Sequence, residues 1–195
     1  SQLRLRQVDI WPRFQEEINH DLGQRRADVI ELHQPLTPRM RSIQNAIIQC
    51  LEATLHQVKL SKLVTDLDDL NVEQAMYRAF DVTVRRHLDP VWHRLSPATR
   101  QLVGDLYTLR QLLHALLSYD SVSFYEYLET ILASNAPTSE PGAPQRQSQW
   151  LMSDEANLIF HEARARLWQE KQDDEGMSFE LEELPQWKLL AKVLE

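Results

Sequence analysis

Apolar positions recur at three- and four-residue intervals through most of the chain, and Pro, Ser, Thr or Asp stands where each run begins. Asp9 can cap a helix reaching about Gln24, with Trp11, Phe14, Ile18 and Leu22 near i+4 spacing and Pro12 confined to the first turn, where a missing N–H is tolerated. Val29–Leu32 alternates weakly and reads as a short extended segment. Thr37-Pro38 is a strong start, an N-cap oxygen followed by Pro at the first helical position, and predicts a helix to about Lys59. Asn71, three residues before Gln74, is a capping-box variant that predicts a helix to about Leu88. Asp89-Pro90 then breaks and restarts it, because the residue before Pro avoids the α region, and Ser96-Pro97 repeats the device. From Pro97 to about Leu117, Leu102, Leu106, Leu109, Leu113 and Leu116 share one face, widened by Leu112 and Leu117; this is the expected central helix. Ser121 should cap a helix turning Phe124, Leu128, Ile131 and Leu132 inward. Ser153 should cap another that aligns Ala156, Ile159, Phe160, Ala163 and Leu167, and Pro185 opens a last short one with Trp187, Leu190 and Leu194. No fixed-period repeat or sustained heptad run interrupts this reading. The pattern predicts an all-α fold, an irregular multi-helix bundle of six or more helices in a single domain over 1–195.

Two segments escape the helical period. Residues 135–149, NAPTSEPGAPQRQSQ, hold three Pro and no large apolar side chain, and are expected to form a disordered linker. Residues 170–183, EKQDDEGMSFELEE, hold seven acids and one Lys and are expected to be a solvated acidic loop, since like charges resist packing. The helix after Thr37 is unusual in another way. Met40, Ile43, Ile47, Cys50, Leu51, Thr54, Leu55 and Val58 cover an arc of roughly 160° at 100° per residue, with Ile48 at its edge. One neighbouring helix would not cover it. Either two helices pack there, or the edge near Ile48 and Leu55 meets a partner protein.

Composition changes this picture only at the margins. With 195 residues, 43% hydrophobic and only 4 Gly, the chain can bury a core and is too Gly-poor for a turn-rich β fold. The single Cys50 excludes an internal disulfide and suits a reducing compartment. No apolar run approaches the roughly 18 residues of a membrane span, and the start lacks an apolar signal core, so an intracellular soluble chain is expected. Of the net charge of −8, −6 sits in the acidic segment, while residues 1–110 carry 15 Lys plus Arg against 14 Asp plus Glu. Charge therefore neither advertises nor excludes a nucleic-acid surface.

The motifs of catalysis are missing. Gly23, Gly104, Gly142 and Gly176 are isolated, so no phosphate cradle and no cofactor site is visible. His161-Glu162 begins like a zinc-protease HExxH, but Ala165 stands where the second His must be. Glu17 and His20 have i,i+3 spacing, yet a di-iron site needs a second such pair and two more Glu; a surface pair explains them better. His87 and His93 lie six apart around Pro90, a spacing that does not aim both rings at one metal, so no metal site is assigned. Cys50 lies inside an apolar stripe and reads as structural. Asp81 and Arg85 form an i,i+4 pair whose plain reading is a local ion pair, and Arg164 and Arg166 at the edges of their helix's stripe read as arginines that snorkel over the core rim.

FDVTVRRHLDPVWHRLSPATRQLVGDLYTLRQLLHALLSYDSVSFYEYLE, from Phe80 onward, resembles the helical region of the XPF family of DNA repair endonuclease large subunits, of fungal type. Ile10-Trp11-Pro12-Arg13-Phe14, Leu36-Thr37-Pro38, Trp150-Leu151 and Ala163-Arg164-Ala165-Arg166 are similar too, in the same order. The resemblance implies a helical insert between the two RecA-like lobes of a degenerate superfamily-2 helicase-like module. It implies nuclear DNA repair (nucleotide excision repair, interstrand crosslink processing, recombination). It also implies a smaller partner subunit bound through domains not seen here, and docking to the scaffold protein that recruits structure-selective nucleases. The family's carboxylate–Lys nuclease motif is not found, so no catalysis is expected of this chain.

Two kinds of site follow. Ile48 and Leu55 are the candidates for docking the scaffold. Arg85, Arg86, Arg94 and Arg100, beside two predicted helix starts, together with Arg164 and Arg166, are the candidates for weak, sequence-independent contact with branched or splayed-arm DNA.

Overall fold

The computed structural model describes residues 8, 10, 15–24, 29–60, 72–75, 77, 79–136, 147–173 and 176–195. By packing the chain divides into two units, residues 1–33 and 34–195, where the sequence pattern predicts one domain. In the first, α1 (Glu16–Gln24) is the described part of the helix expected from Asp9; Asp9, Trp11, Pro12 and Phe14 lie outside the described residues. Ile18 is half-buried and Leu22 exposed, and the side chains of His20 and Gln24 share a hydrogen bond of 2.8 Å.

The second unit is built around two long helices. α2 (Pro38–Lys59) begins where Thr37-Pro38 predicts, with Thr37 Oγ1 accepting from the Met40 N–H at 3.1 Å. Its wide apolar arc is packed by two helices, α5 (Pro97–Ser118) and α7 (Asp154–Leu167). Each fully buried Ile or Leu in that interface contributes about 1.5–3 kcal/mol. Of the two residues expected at the arc's edge, Leu55 is corrected as a docking contact, because the chain covers its own stripe and leaves it 4% exposed; Ile48 is half-buried.

Between α2 and α5 lie α3 (Val72–Ala75), α4 (Ala79–Leu88) and a 3-10 segment, Asp89–Arg94. The helix expected as one piece to Leu88 is thus divided, and its Asn71 cap lies outside the described residues. Asp89-Pro90 ends α4 but opens tight 3-10 turns in place of a new α-helix. Ser96 then caps α5, its Oγ accepting from the Thr99 N–H at 3.1 Å. Leu106, Leu109, Leu112, Leu113 and Leu116 are buried as expected, Leu102 is half-buried and Leu117 exposed. Gly104 stands in the middle of α5, where glycine costs about 1 kcal/mol relative to alanine; a Cβ there would meet nothing within 4 Å. Nothing among the described residues requires this glycine.

α6 (Ser121–Ser134) is capped by Asp120 and not by Ser121: Asp120 Oδ1 accepts from the Ser123 N–H at 2.8 Å. That bond holds the Asp120 carboxyl below its usual range. Ser121 is buried instead, and Leu132 points to solvent. The expected linker at 135–149 is ordered at both ends, with 137–146 outside the described residues. The Ser148 N–H donates to Asn135 Oδ1 at 3.2 Å, and Ser148 Oγ donates to the buried Asp105 carboxylate at 2.6 Å. Gln101 Nε2 donates to the same carboxylate at 3.0 Å. Burial raises the Asp105 pKa, with the Ser148 and Gln101 hydrogen bonds opposing that rise. A 3-10 turn, Gln149–Met152, and the Ser153 cap then lead into α7.

The acidic segment departs most from expectation. It is not a solvated loop throughout: β1 (Gln169–Asp173) and β2 (Gly176–Glu180) pair antiparallel in register Gln169↔Glu180, and the return carries Glu182 and Leu184 into the interior. Backbone pairing and one buried counter-ion offset the repulsion that composition suggests. This two-stranded hairpin is the only sheet among the described residues; the remaining elements are helical. α8 (Pro185–Leu194) follows, leaving Trp187, Leu190, Val193 and Leu194 exposed.

Candidate docking groove

α4 buries its Phe80, Val84 and Leu88 face, and an ion pair at its edge ties it to α5. Asp81 does not pair with Arg85 four residues on. It pairs with Arg110 on α5 through two hydrogen bonds, Arg110 Nε to Oδ1 at 2.7 Å and Nη2 to Oδ2. The fork geometry of a bidentate, half-buried arginine outweighs the few tenths of a kcal/mol available to an exposed i,i+4 pair. Arg85 is thereby left exposed with no carboxylate partner among the described residues.

Because the 3-10 segment turns away before α5 begins, α4 and the first half of α5 do not close on each other. They leave a groove of about 440 Å³. Phe80, Val84, Leu88 and Leu106 form its apolar floor, and Gly104 removes a side chain from its α5 wall. Trp92 and Tyr107 line it and remain 41% and 54% exposed. Each ring carries a guanidinium on one face: Arg100 lies 5.8 Å from the Trp92 centroid and Arg110 lies 5.8 Å from that of Tyr107. Arg100 also donates to the His93 carbonyl at 3.4 Å. Arg85, Arg100, Asp81 and Asp89 make the charged rim.

The six arginine candidates separate into two classes. Arg85, Arg86, Arg94 and Arg100 are all exposed around the Asp89–Arg94 segment, and Arg164 is exposed on α7. Arg166 is 0% exposed and cannot be a surface contact. Its Nε donates to the Glu182 carboxylate, its backbone carbonyl accepts from the Glu182 N–H at 2.9 Å, and its guanidinium sits 5.6 Å from the Phe124 ring centroid. Nothing in the local pattern could have shown this, since its partner lies sixteen residues on, beyond the hairpin. The groove residues were equally hidden, apart from one signal: a lone glycine inside a leucine-rich helix.

Cys50 is buried in α2 beside Ser153 Oγ at 3.7 Å, and desolvation raises its pKa, which disfavours the reactive thiolate. Among the described residues no group of three or more His, Cys, Asp or Glu could hold a metal ion, and no helix is long and apolar enough to cross a membrane.

No protein-family model matches the chain. Individual relatives do, over nearly its whole length. It is 43% identical over 197 residues to the DNA repair protein rad16 of Schizosaccharomyces pombe, covering 98% of this chain and 22% of that protein. It is 35% identical over 207 residues to the DNA repair endonuclease XPF of Cricetulus griseus, with the same two coverages. Against the DNA repair protein RAD1 of Saccharomyces cerevisiae the identity is 31% over 198 residues, covering all of this chain and 17% of that protein. The chain therefore spans about a fifth of the length of these relatives. Sustained identity to all three, in a helical body whose sequence motifs resemble the same proteins, places the chain in the XPF family of DNA repair endonucleases.

Proposed function

We propose that this chain serves DNA repair as a non-catalytic helical module of an XPF-family endonuclease, set between the RecA-like lobes of a helicase-like half and acting in the nucleus. Its task is to dock the scaffold protein that recruits structure-selective nucleases, while the nuclease chemistry and the smaller partner subunit belong to other parts of the whole protein. The observation that carries this reading is the groove between α4, the 3-10 segment and α5, where the aromatic side chains of Trp92 and Tyr107 stay exposed above a floor made by the buried Phe80, Val84, Leu88 and Leu106. Exposed apolar concavities of this kind mark interaction sites. The groove replaces Ile48 and Leu55 as the docking surface.

A second reading has its own support. Arg85, Arg86, Arg94 and Arg100 are all exposed beside the capped start of α5, which suits weak contact with the phosphates of a splayed-arm DNA. Salt separates the two. Titration of the chain with the scaffold protein and, separately, with splayed-arm DNA at low and high ionic strength is the test. Docking predicts saturable scaffold binding that survives added salt, with DNA binding absent or abolished by it. Tight, salt-resistant DNA binding without scaffold binding would overturn the proposal.

A further inference from the structure

The groove carries more than its shape. Asp81 is neutralised by Arg110, so the rim presents Arg85 and Arg100 without carboxylate partners among the described residues, against the single carboxylate of Asp89. Arg86 and Arg94 stand exposed on the same elements and add to the positive sign. The floor beneath is apolar, and at its α5 wall stands Gly104, a residue that weakens its helix and that no contact among the described residues requires. A glycine with that profile marks the place where another backbone or a bulky side chain comes close.

We propose, resting on the docking reading above, that the groove receives an amphipathic helix of a partner protein whose apolar anchors are flanked by Asp or Glu. The anchors fill the space over Phe80, Val84 and Leu106, with one of them against Gly104, and the flanking carboxylates meet Arg85 and Arg100. This is recognition of a helix by a groove, read through residues spaced i, i+3, i+4 and i+7. A single strand of nucleic acid fits the site less well. Base stacking would need the ring faces of Trp92 and Tyr107, and one face of each is held by a guanidinium. Duplex phosphates gain nothing from an apolar floor.

The test uses a displayed library of helical peptides with randomised anchor and flanking positions, selected on the 195-residue chain and counter-selected on Gly104→Trp, which fills the groove from its wall. The expected result is enrichment of Asp and Glu beside large apolar anchors. Individual winners should lose at least about tenfold in affinity on Arg85→Glu/Arg100→Glu, or on Arg85→Glu alone should the double variant misfold; a loss of tenfold is about 1.4 kcal/mol. Winners with neutral or basic flanks, or acidic winners indifferent to the charge reversals, would refute the carboxylate inference and leave the docking reading standing. Failure to enrich any peptide that Gly104→Trp excludes would refute both. Competition of splayed-arm DNA against winners already bound, at moderate salt, would turn the site over to nucleic acid.

Discussion

Replacing Arg166 by alanine is expected to destabilise the second unit severely. The guanidinium is fully buried, its Nε bonded to a Glu182 carboxylate that is itself 8% exposed, and its plane lies near the Phe124 ring. Removing it leaves a buried carboxylate without its counter-ion, a change that costs about 3–5 kcal/mol, and forfeits a cation–π contact of about 0.5–2 kcal/mol. At about 2–4 °C per kcal/mol for a chain of this size, the melting temperature should fall by about 10 °C or more. Glu182→Gln should cost less, because the amide oxygen still accepts from Nε. The pair Arg166→Met/Glu182→Leu should recover most of the loss, since apolar side chains of similar volume replace buried ion pairs without penalty. Thermal unfolding of the parent, Arg166→Met, Glu182→Leu and the Arg166→Met/Glu182→Leu pair, analysed as a double-mutant cycle, with Arg166→Ala and Glu182→Gln measured beside them, is the assay. An Arg166→Ala loss under about 1 kcal/mol, or a coupling near zero, would mean that the pair does not form in solution and that the hairpin is not clasped to α7 in this way.

Asp105 makes a pH-dependent prediction. Its pKa is raised in the fold by burial, so the folded state binds the proton more tightly, and the stability it contributes is lost as pH rises through that raised pKa. Asp105→Asn should therefore melt close to the parent near pH 4 and gain on it toward about pH 7; an advantage confined to low pH would reverse the sign. Replacing residues 137–146 with a Gly/Ser linker should leave the melting temperature unchanged, whereas Ser148→Ala, which strips the buried Asp105 carboxylate of a hydrogen bond, should cost about 1–3 kcal/mol. Gly104→Ala should raise stability by about 0.5–1 kcal/mol, because a Cβ meets nothing there; a loss would show a contact that the fold needs. Cys50 should resist thiol reagents until denaturant is added, and rapid labelling of the native chain would contradict its burial.

What the sequence made legible was local. Thr37-Pro38, Ser96-Pro97 and Ser153 announce their helices because an N-cap oxygen and the residue after it act within one turn, and the leucine spacing of α5 exposes its buried face directly. The width of the α2 arc correctly called for two neighbours, although it could not say that both come from the same chain. What stayed hidden depends on distant partners. Glu182 reads as one acid among many until Arg166 is brought beside it, and Asp81 reads as the mate of Arg85 until α5 presents Arg110. Ser148 looks like linker until Asp105 is seen beneath it. The groove was illegible for the same reason: it is a gap left between α4 and α5 by a 3-10 turn, and a gap has no sequence pattern beyond the glycine in its wall.

The most direct test of docking through that groove is an NMR map of backbone amide shifts for the chain titrated with the nuclease-recruiting scaffold. Shifts should concentrate in α4, the Asp89–Arg94 segment and the first half of α5, and Gly104→Trp should abolish them without lowering the melting temperature. A map centred on α2 and α7, or a Gly104→Trp protein that binds as tightly as the parent, would contradict it.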